Sequence, residues 1–359
     1  MTKDELLSLK INRPDDEIRR LAKARWDTVA KPIDGLGDFE DIICTIAAIQ
    51  RTITPRLNKK ALIIMCADNG VVCEGVSQTG QEVTYDVAAL MGERRSSVGI
   101  MTAGYPVDIY TYDVGINSAN TPKGVIDRKI CAGTADFVKE CAMTAGQCMD
   151  AVNTGIDAVR MCSQNGYGII ATGEMGIGNT TTSTALLCAI TGAAVEDVTG
   201  RGSGLTEEGM DNKIRVIKKG LDRYTGGVAV SSPAEAFEVL RCMGGLDIAA
   251  LAGVFTGAAL YGIPVVIDGL ISAVAALMAD TIVPGCRSYM IASHMGKEKG
   301  MQQVLDSLSL KPVIHADMAL GEGTGAVLIL PMLDMVSSLY LNGTTFEMTS
   351  IEKYERLGK

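Results

Sequence analysis

Gly168-Ile169-Ile170-Ala171-Thr172-Gly173-Glu174-Met175-Gly176-Ile177-Gly178-Asn179-Thr180-Thr181-Thr182 holds the pattern that decides the fold. Gly168 to Ala171 reads as a short apolar strand, followed by a Gly/Thr loop and a helix beginning near Thr182 and running to Ile190. Similar apolar runs stand at Ala61 to Met65, Val107 to Tyr112, Val265 to Ile267 and Val313 to His315. Spacings of several tens of residues between them suit strand, crossover helix and parallel strand. Their unbroken apolarity, without alternation, suits a sheet covered on both faces. The expected fold is α/β: a doubly wound, mainly parallel, Rossmann-like sheet.

Polar residues follow the strand ends at Asp68-Asn69-Gly70, Asp113-Val114-Gly115, Glu174 and Asp268-Gly269. Ligands of open α/β sheets bind beyond the carboxyl ends of the strands, so these positions should converge on one crevice. A second glycine-framed glutamate lies in Leu320-Gly321-Glu322-Gly323-Thr324-Gly325. Glycine leaves room for close approach of a ligand, and a carboxylate held there is placed to take a proton. An acid near a helix start also offsets the helix dipole, but three glycines and a threonine within five residues exceed what a cap needs. The amides and hydroxyls of Gly176 to Thr182 can hold a phosphate, or simply form a threonine-rich cap. Thr199 to Leu205, with Arg201 and then Lys213, reads either as a plain flexible loop or as an anion site. Ser293-His294 through Lys299-Gly300 reads as a solvated helix start.

Composition excludes several classes. The chain has 359 residues, 47% of them hydrophobic, and a net charge of −9. It carries no basic cluster with interleaved aromatics, which argues against nucleic acid. Ten cysteines without a C-x-x-C and only two histidines argue against a structural zinc site, and a histidine-based triad is a poor fit. No metal or cofactor is expected. The glycine loop matches neither a dinucleotide nor a P-loop fingerprint, and Asp68-Asn69-Gly70-Val71-Val72 stands where an oxidoreductase would carry one. The paired acids of magnesium-pyrophosphate phosphoribosyltransferases are missing too.

The amino terminus lacks a secretion pattern, so a reducing cytoplasm is expected, with cysteine used as a small hydrophobe. Ile248 to Ile267 is uncharged for about a bilayer's thickness. Pro264 breaks it and Asp247 and Asp268 bracket it, so it reads as a buried helix and then a buried strand, with no membrane partner. Pro14 with Asp15, Asp16 and Glu17 opens a helix that places Ile18, Leu21, Ala22 and Arg25 on one face. Met332 to Leu341 shows helical character after Pro331. The expected division is a catalytic α/β domain at 31–331 and a small helical subdomain from 1–30 and 332–359.

Taken in order, Ala67 to Val72, Glu74 to Ser77, Gln81 to Thr84, Gly173 to Thr181, Thr199 to Leu205, Val266 to Gly269, Ser293-His294 and Leu320 to Gly325 resemble the nicotinate-nucleotide:dimethylbenzimidazole phosphoribosyltransferase family. The likeness runs from about Gly35 to Leu330. It implies transfer of ribose 5-phosphate from nicotinate mononucleotide to an aromatic lower-ligand base of cobamides. Glu322 is then the base, with Glu174 beside the same site. Gly176, Gly178, Asn179, Thr180, Thr181, Gly202, Gly204 and Lys213 match the stretches that hold the phosphate and nicotinate ends. Ser77 and Gln81 match the acceptor pocket.

That pocket also departs from the family, with Asn69 where many members have histidine and Thr79-Gly80 where they often have an aromatic and a proline. Smaller residues change pocket shape, which leaves open the same transfer to phenol or p-cresol by one subunit of a heterodimer. The family implies a homodimer, or a heterodimer with a paralogous subunit. A non-enzymatic partner role fits less well, because Glu322 is retained.

Overall fold

The computed structural model describes residues 1–202 and 204–356. Eight strands occur among them: β1 Lys60–Ala67, β2 Asp108–Gly115, β3 Ile126–Asp127, β4 Ile169–Met175, β5 Val265–Ile267, β6 Met290–Ala292, β7 His294–Gly296 and β8 Ile314–Met318. The first six form one parallel sheet in the order β3-β2-β1-β4-β5-β6. The doubly wound, Rossmann-like sheet expected from the sequence is therefore present. Strand order reverses between β1 and β4, and this switch point leaves a crevice beyond their carboxyl ends.

The unbroken apolarity of β1 has a direct cause. Ile63 and Met65 belong to one core cluster, and Leu62, Ile64 and Cys66 to the other. Successive side chains point to opposite faces, so a strand covered on both faces must be apolar at every position. The helices Ala145–Gln164, Leu246–Tyr261 and Leu270–Ile282 build the first core. Asp16–Trp26, Asp38–Gln50 and Thr324–Asn342 build the second. The uncharged run from Ile248 proves to be a buried helix followed by buried β5. Its backbone lies so close to the Ala145–Gln164 helix that a Cβ on Gly253 would meet the Val152 carbonyl at 2.0 Å.

Several sequence expectations need correction, among them the solvated helix start at 293–300, where Ser293 and His294 are buried and His294–Gly296 is β7. The strand near Val313 starts at Ile314 and pairs with β7 in a separate two-stranded sheet. The sixth place in the main sheet goes to β6, whose three residues are too few to show a period. The helix expected near Thr182 starts at Asn179, because Gly178 takes a left-handed φ of 94° and lets the chain turn directly into it. Pro331 does not start a new element: it sits inside the Thr324–Asn342 helix, so the boundary drawn at 331 falls mid-helix. Proline removes only one donor, and packing of Ile329, Leu330 and Leu333 in the core holds the helix across it. On the Asp16–Trp26 helix, Ala22 and Trp26 fill the core while Leu21 is exposed. Leu6 joins the opposite core from Trp26.

Thr324–Asn342 is long and apolar enough, by length and composition, to cross a bilayer. In the structure 56% of its apolar window is buried inside the molecule.

Candidate active site

At the switch point, β4 delivers Glu174 and runs into the turn that precedes the Asn179–Thr191 helix. Gly176 has no room for a side chain: a Cβ would meet the Ala67 carbonyl at 2.3 Å and Asp247 Oδ2 at 2.6 Å. The turn is thus pressed against the end of β1, and the Asn69 N–H donates to the Ile177 carbonyl at 3.2 Å. Above it lies a cavity of about 630 Å³, whose lining includes Glu174, Gly176, Asn179, Thr180, Gly202 and Asp268. A larger cleft of about 1010 Å³ opens elsewhere, beside β6, where acids such as Asp16 and Asp280 mix with Arg13, Arg19 and Arg287. None of the sequence-selected site residues lines it, and its balanced charge selects no ligand.

Glu174, Asp268 and Glu298 bring acids to the cavity lining, with Asp247 behind Asn179. Glu174 and Asp247 are buried and share one donor, the Asn179 amide, which reaches Glu174 Oε2 and, at 3.1 Å, Asp247 Oδ2. Burial first, and then the neighbouring Asp247 charge, push the Glu174 carboxyl up to about 8. Burial likewise raises Asp247 to about 7, and raises Asp268 and Glu298. None of Glu174, Asp247, Asp268 or Glu298 forms an ion pair with a described lysine or arginine. Arg201, Lys297 and Lys299 line the same cavity, so it offers a ligand both signs of charge.

This raised carboxyl has a consequence for stability. Between its ordinary value of 4.5 and about 8, the unfolded chain binds fewer protons at Glu174 than the folded one. Stability from this group is therefore full below pH 4.5 and is lost as pH rises toward 8. Glu174→Gln removes the loss and still accepts from Asn179. Its melting temperature should gain on the unmodified chain progressively from pH 5 to pH 8 in parallel thermal scans. A constant offset would show that the Glu174 charge plays no such part.

The second glutamate is held by backbone. Gly321, Glu322 and Gly323 have φ of 85°, 59° and 87°, three successive left-handed residues. Glycine adopts this freely; glutamate does not, and strain of this kind is retained where it positions a functional group. Asp268, at the end of β5, accepts the N–H groups of Gly323, Gly325 and Ala326 at 3.0, 2.8 and 3.0 Å. The loop lies flat on β4, where a Cβ at Gly173 would meet the Glu322 carbonyl group at 2.8 Å. Glu322 Oε2 accepts the Val98 N–H at 3.2 Å. Gly321 and Leu320 form that side of the cavity rim.

Behind Thr180 and Gly200 of the lining stands Lys213, 1% exposed, with Nζ 3.0 Å from Thr180 Oγ1 and 3.1 Å from the Gly200 carbonyl. No described carboxylate pairs with it. Burial pushes its ammonium down to about 8. A buried ammonium with only neutral partners is set up for an anion. A Cβ on Gly202 would come within 3.6 Å of Nζ, so the Gly-rich loop lies directly over it. Arg201 is already engaged, to Glu207 and to the Leu205 carbonyl. Ser203, within the same loop, lies outside the described residues.

The remaining sequence-selected residues lie around these. Gly178 packs on Val72 and Asn69, and Thr181 is buried in the helix's first turn without a hydroxyl partner. Gly204 meets Gln78, whose amide donates to its carbonyl. Gln81 donates to the Asn69 carbonyl at 3.2 Å and accepts from Asn117 at 2.7 Å. Ser77 and Thr79 form a small turn of their own, with Thr79 exposed. Ser77, Thr79 and Gln81 do not line the 630 Å³ cavity. Asn69 does not either: it is fully buried, with Oδ1 accepting from Thr182 at 3.1 Å.

Sequence reasoning missed Asp247, which appeared only as the bracket of an apolar run. The available signal was the Gly244-Gly245 pair before it, since a Cβ on Gly245 would meet both Asn69 and Asp247 at 2.3 Å. Away from the cavity, ligand atoms of Cys73, Glu74 and Asp136 lie within 4.8 Å of one another. The Lys139 ammonium already sits among them, 3.0 Å from Asp136.

A family model described as Phosphoribosyltransferase matches residues 11–351. A relative from Clostridium acetobutylicum is 39% identical over 349 residues, covering 97% of each chain. One from Ruminiclostridium cellulolyticum is 39% identical over 357 residues, covering 99% of this chain and 100% of its own. Both are named nicotinate-nucleotide:dimethylbenzimidazole phosphoribosyltransferase. A crystal structure of CobT from Thermus thermophilus superposes with a TM-score of 0.88 at 34% identity, covering 94% of this chain and 100% of that one. With the family matched over nearly its whole length, this chain belongs to the phosphoribosyltransferases, among the relatives named for nicotinate nucleotide and dimethylbenzimidazole.

Proposed function

We propose that this chain moves ribose 5-phosphate from nicotinate mononucleotide to dimethylbenzimidazole, releasing nicotinate. The observation that carries the reading is a buried Lys213 ammonium with only neutral partners, set directly behind Thr180 and Gly200 of the cavity lining. Nicotinate mononucleotide is an anion at its phosphate and a cation at its ring nitrogen. Lys213, Thr180 and the amides near Gly202 take the phosphate.

The acceptor nitrogen attacks the anomeric carbon while the bond to the nicotinate nitrogen breaks. The bonding pair returns to the ring, which leaves neutral, so the leaving group needs no metal-bound pyrophosphate. Glu322 takes the proton that the acceptor gives up. Asp268 fixes the backbone that carries it. Glu174, largely protonated at neutral pH, orients the reactants as a donor rather than competing as a second base.

We assign Ser77, Thr79, Gln81 and Asn69 to the acceptor side, through the turn that adjoins Asn69 and, at Gln78, the phosphate loop. A cytoplasmic dimer completes the proposal. Leu328, Met335 and Leu339 are exposed at spacings that share one face of the Thr324–Asn342 helix, beside a helix carrying exposed Ile100 and Met101. A second copy of the chain is the occupant that fits.

The test is incubation of purified chain, its mass first fixed by sedimentation, with nicotinate mononucleotide and each of dimethylbenzimidazole, adenine, phenol and p-cresol. Nicotinate release with a new riboside phosphate of dimethylbenzimidazole is expected, from a species of twice the chain mass. Product only with the phenolics would reassign the acceptor. A monomer active at full rate would remove the dimer.

A further inference from the structure

Outside the site, Cys141 and Cys242 stand with their Sγ atoms 2.6 Å apart, closer than unbonded sulfurs ordinarily come. All ten cysteines are thiols in this structure. The two segments are locked side by side: the Ala142 N–H donates to the Cys242 carbonyl at 2.9 Å and the Met143 N–H to the Arg241 carbonyl at 3.0 Å. Arg241 and Cys242 lie in the last turn of the Pro233–Met243 helix, so the two loop amides cap its final carbonyls and hold Cys141 against it. The contact between the two sulfurs puts both partners within reach of a bond.

Their exposures differ in the sense that ordered chemistry requires. Cys141 is half-exposed, whereas Cys242 is buried. We propose that Cys141 and Cys242 are an oxidation site, which closes a disulfide when the chain meets a small disulfide such as oxidised glutathione. The Cys141 thiolate attacks one glutathione sulfur, breaking that S–S bond and releasing the first glutathione thiolate. Cys242 gives up its proton to solvent and attacks the Cys141 sulfur of the mixed disulfide, releasing the second. Two protein thiols are oxidised and one glutathione disulfide is reduced, so electrons balance. Burial pushes the Cys242 thiol up to about 12, which makes it the second and slower nucleophile, while the adjacent Arg241 charge works the other way.

The link would staple residues 101 positions apart in sequence. It joins the loop that ends at Met143 to the segment leading through Gly244-Gly245 to Asp247. A long closed loop restricts the unfolded chain, so the oxidised protein should melt a few degrees higher than the reduced one.

Full-length protein incubated with oxidised glutathione is followed by intact mass, by thiol count in denaturant and by peptide mapping. The expected result is loss of two thiols, a mass lower by two hydrogens and one cross-linked peptide joining Cys141 to Cys242. Cys242→Ser should instead retain a stable glutathione adduct at Cys141, and Cys141→Ser should give neither product. A persistent adduct on the unmodified chain, a link involving another cysteine, or ten thiols remaining would each overturn the assignment.

Discussion

Glu322→Gln should turn over about 10²–10⁴-fold more slowly than the unmodified chain, with the Michaelis constant for nicotinate mononucleotide little changed. Glutamine keeps the size of the side chain and its acceptor for the Val98 N–H, and loses only the capacity to bind a proton. A defect confined to turnover is what removal of a transition-state proton acceptor predicts. The backbone supplies an independent control. Glu322 is left-handed at φ 59°, a conformation that costs a non-glycine residue about 1–2 kcal/mol and glycine almost nothing. Glu322→Gly relieves that strain but loosens the unfolded chain by about 0.5–1 kcal/mol, so its stability should stay within about 1 kcal/mol of the parent. It should nonetheless be as inactive as Glu322→Gln. Steady-state kinetics and denaturant titration on both variants decide the matter. Turnover surviving in Glu322→Gln would remove the base assignment, whatever the stabilities.

How far such a site can be read in advance depends on whether its cause is local. The apolar runs of β1 and β4 were legible because both faces of each strand are covered. Glu174 and Glu322 were legible because glycines needed for close packing flank them: Gly173 against the Glu322 loop, Gly176 against β1. The strands β6 and β7, three residues each, left no periodic trace. Asp268 was seen as a strand-end acid, but its three backbone hydrogen bonds to residues more than fifty positions away exist only once the sheet is built. Asp247 belongs with it: an acid at a helix start reads as dipole compensation until the fold places Asn179 between it and Glu174. Pro331 misled for the same reason in reverse, since the core packing that carries the helix past it is tertiary.

Lys213 sets the other large effect. Methionine fills a similar volume without charge, so Lys213→Met removes the ammonium from a site that no described carboxylate neutralises. Loss of a desolvated ion pair with phosphate costs about 3 kcal/mol or more, which is about 10²-fold in the donor's Michaelis constant. Folding should not suffer, because in the free protein the buried charge is a liability. Between about 8 and its ordinary 10.5 the unfolded chain binds more protons at this lysine, so the parent gains stability as pH rises through that window and the variant does not. Bound phosphate draws the proton back, so the parent's affinity for donor should fall as pH climbs past 8 while the variant's stays flat. Nicotinate riboside, the same donor without its phosphate, separates charge recognition from general damage. Parent and Lys213→Met should use the riboside equally poorly. A Michaelis constant for nicotinate mononucleotide within about twofold of the parent would mean that the phosphate lies elsewhere, since a shift that small is under 0.5 kcal/mol and a lost phosphate contact cannot be so cheap.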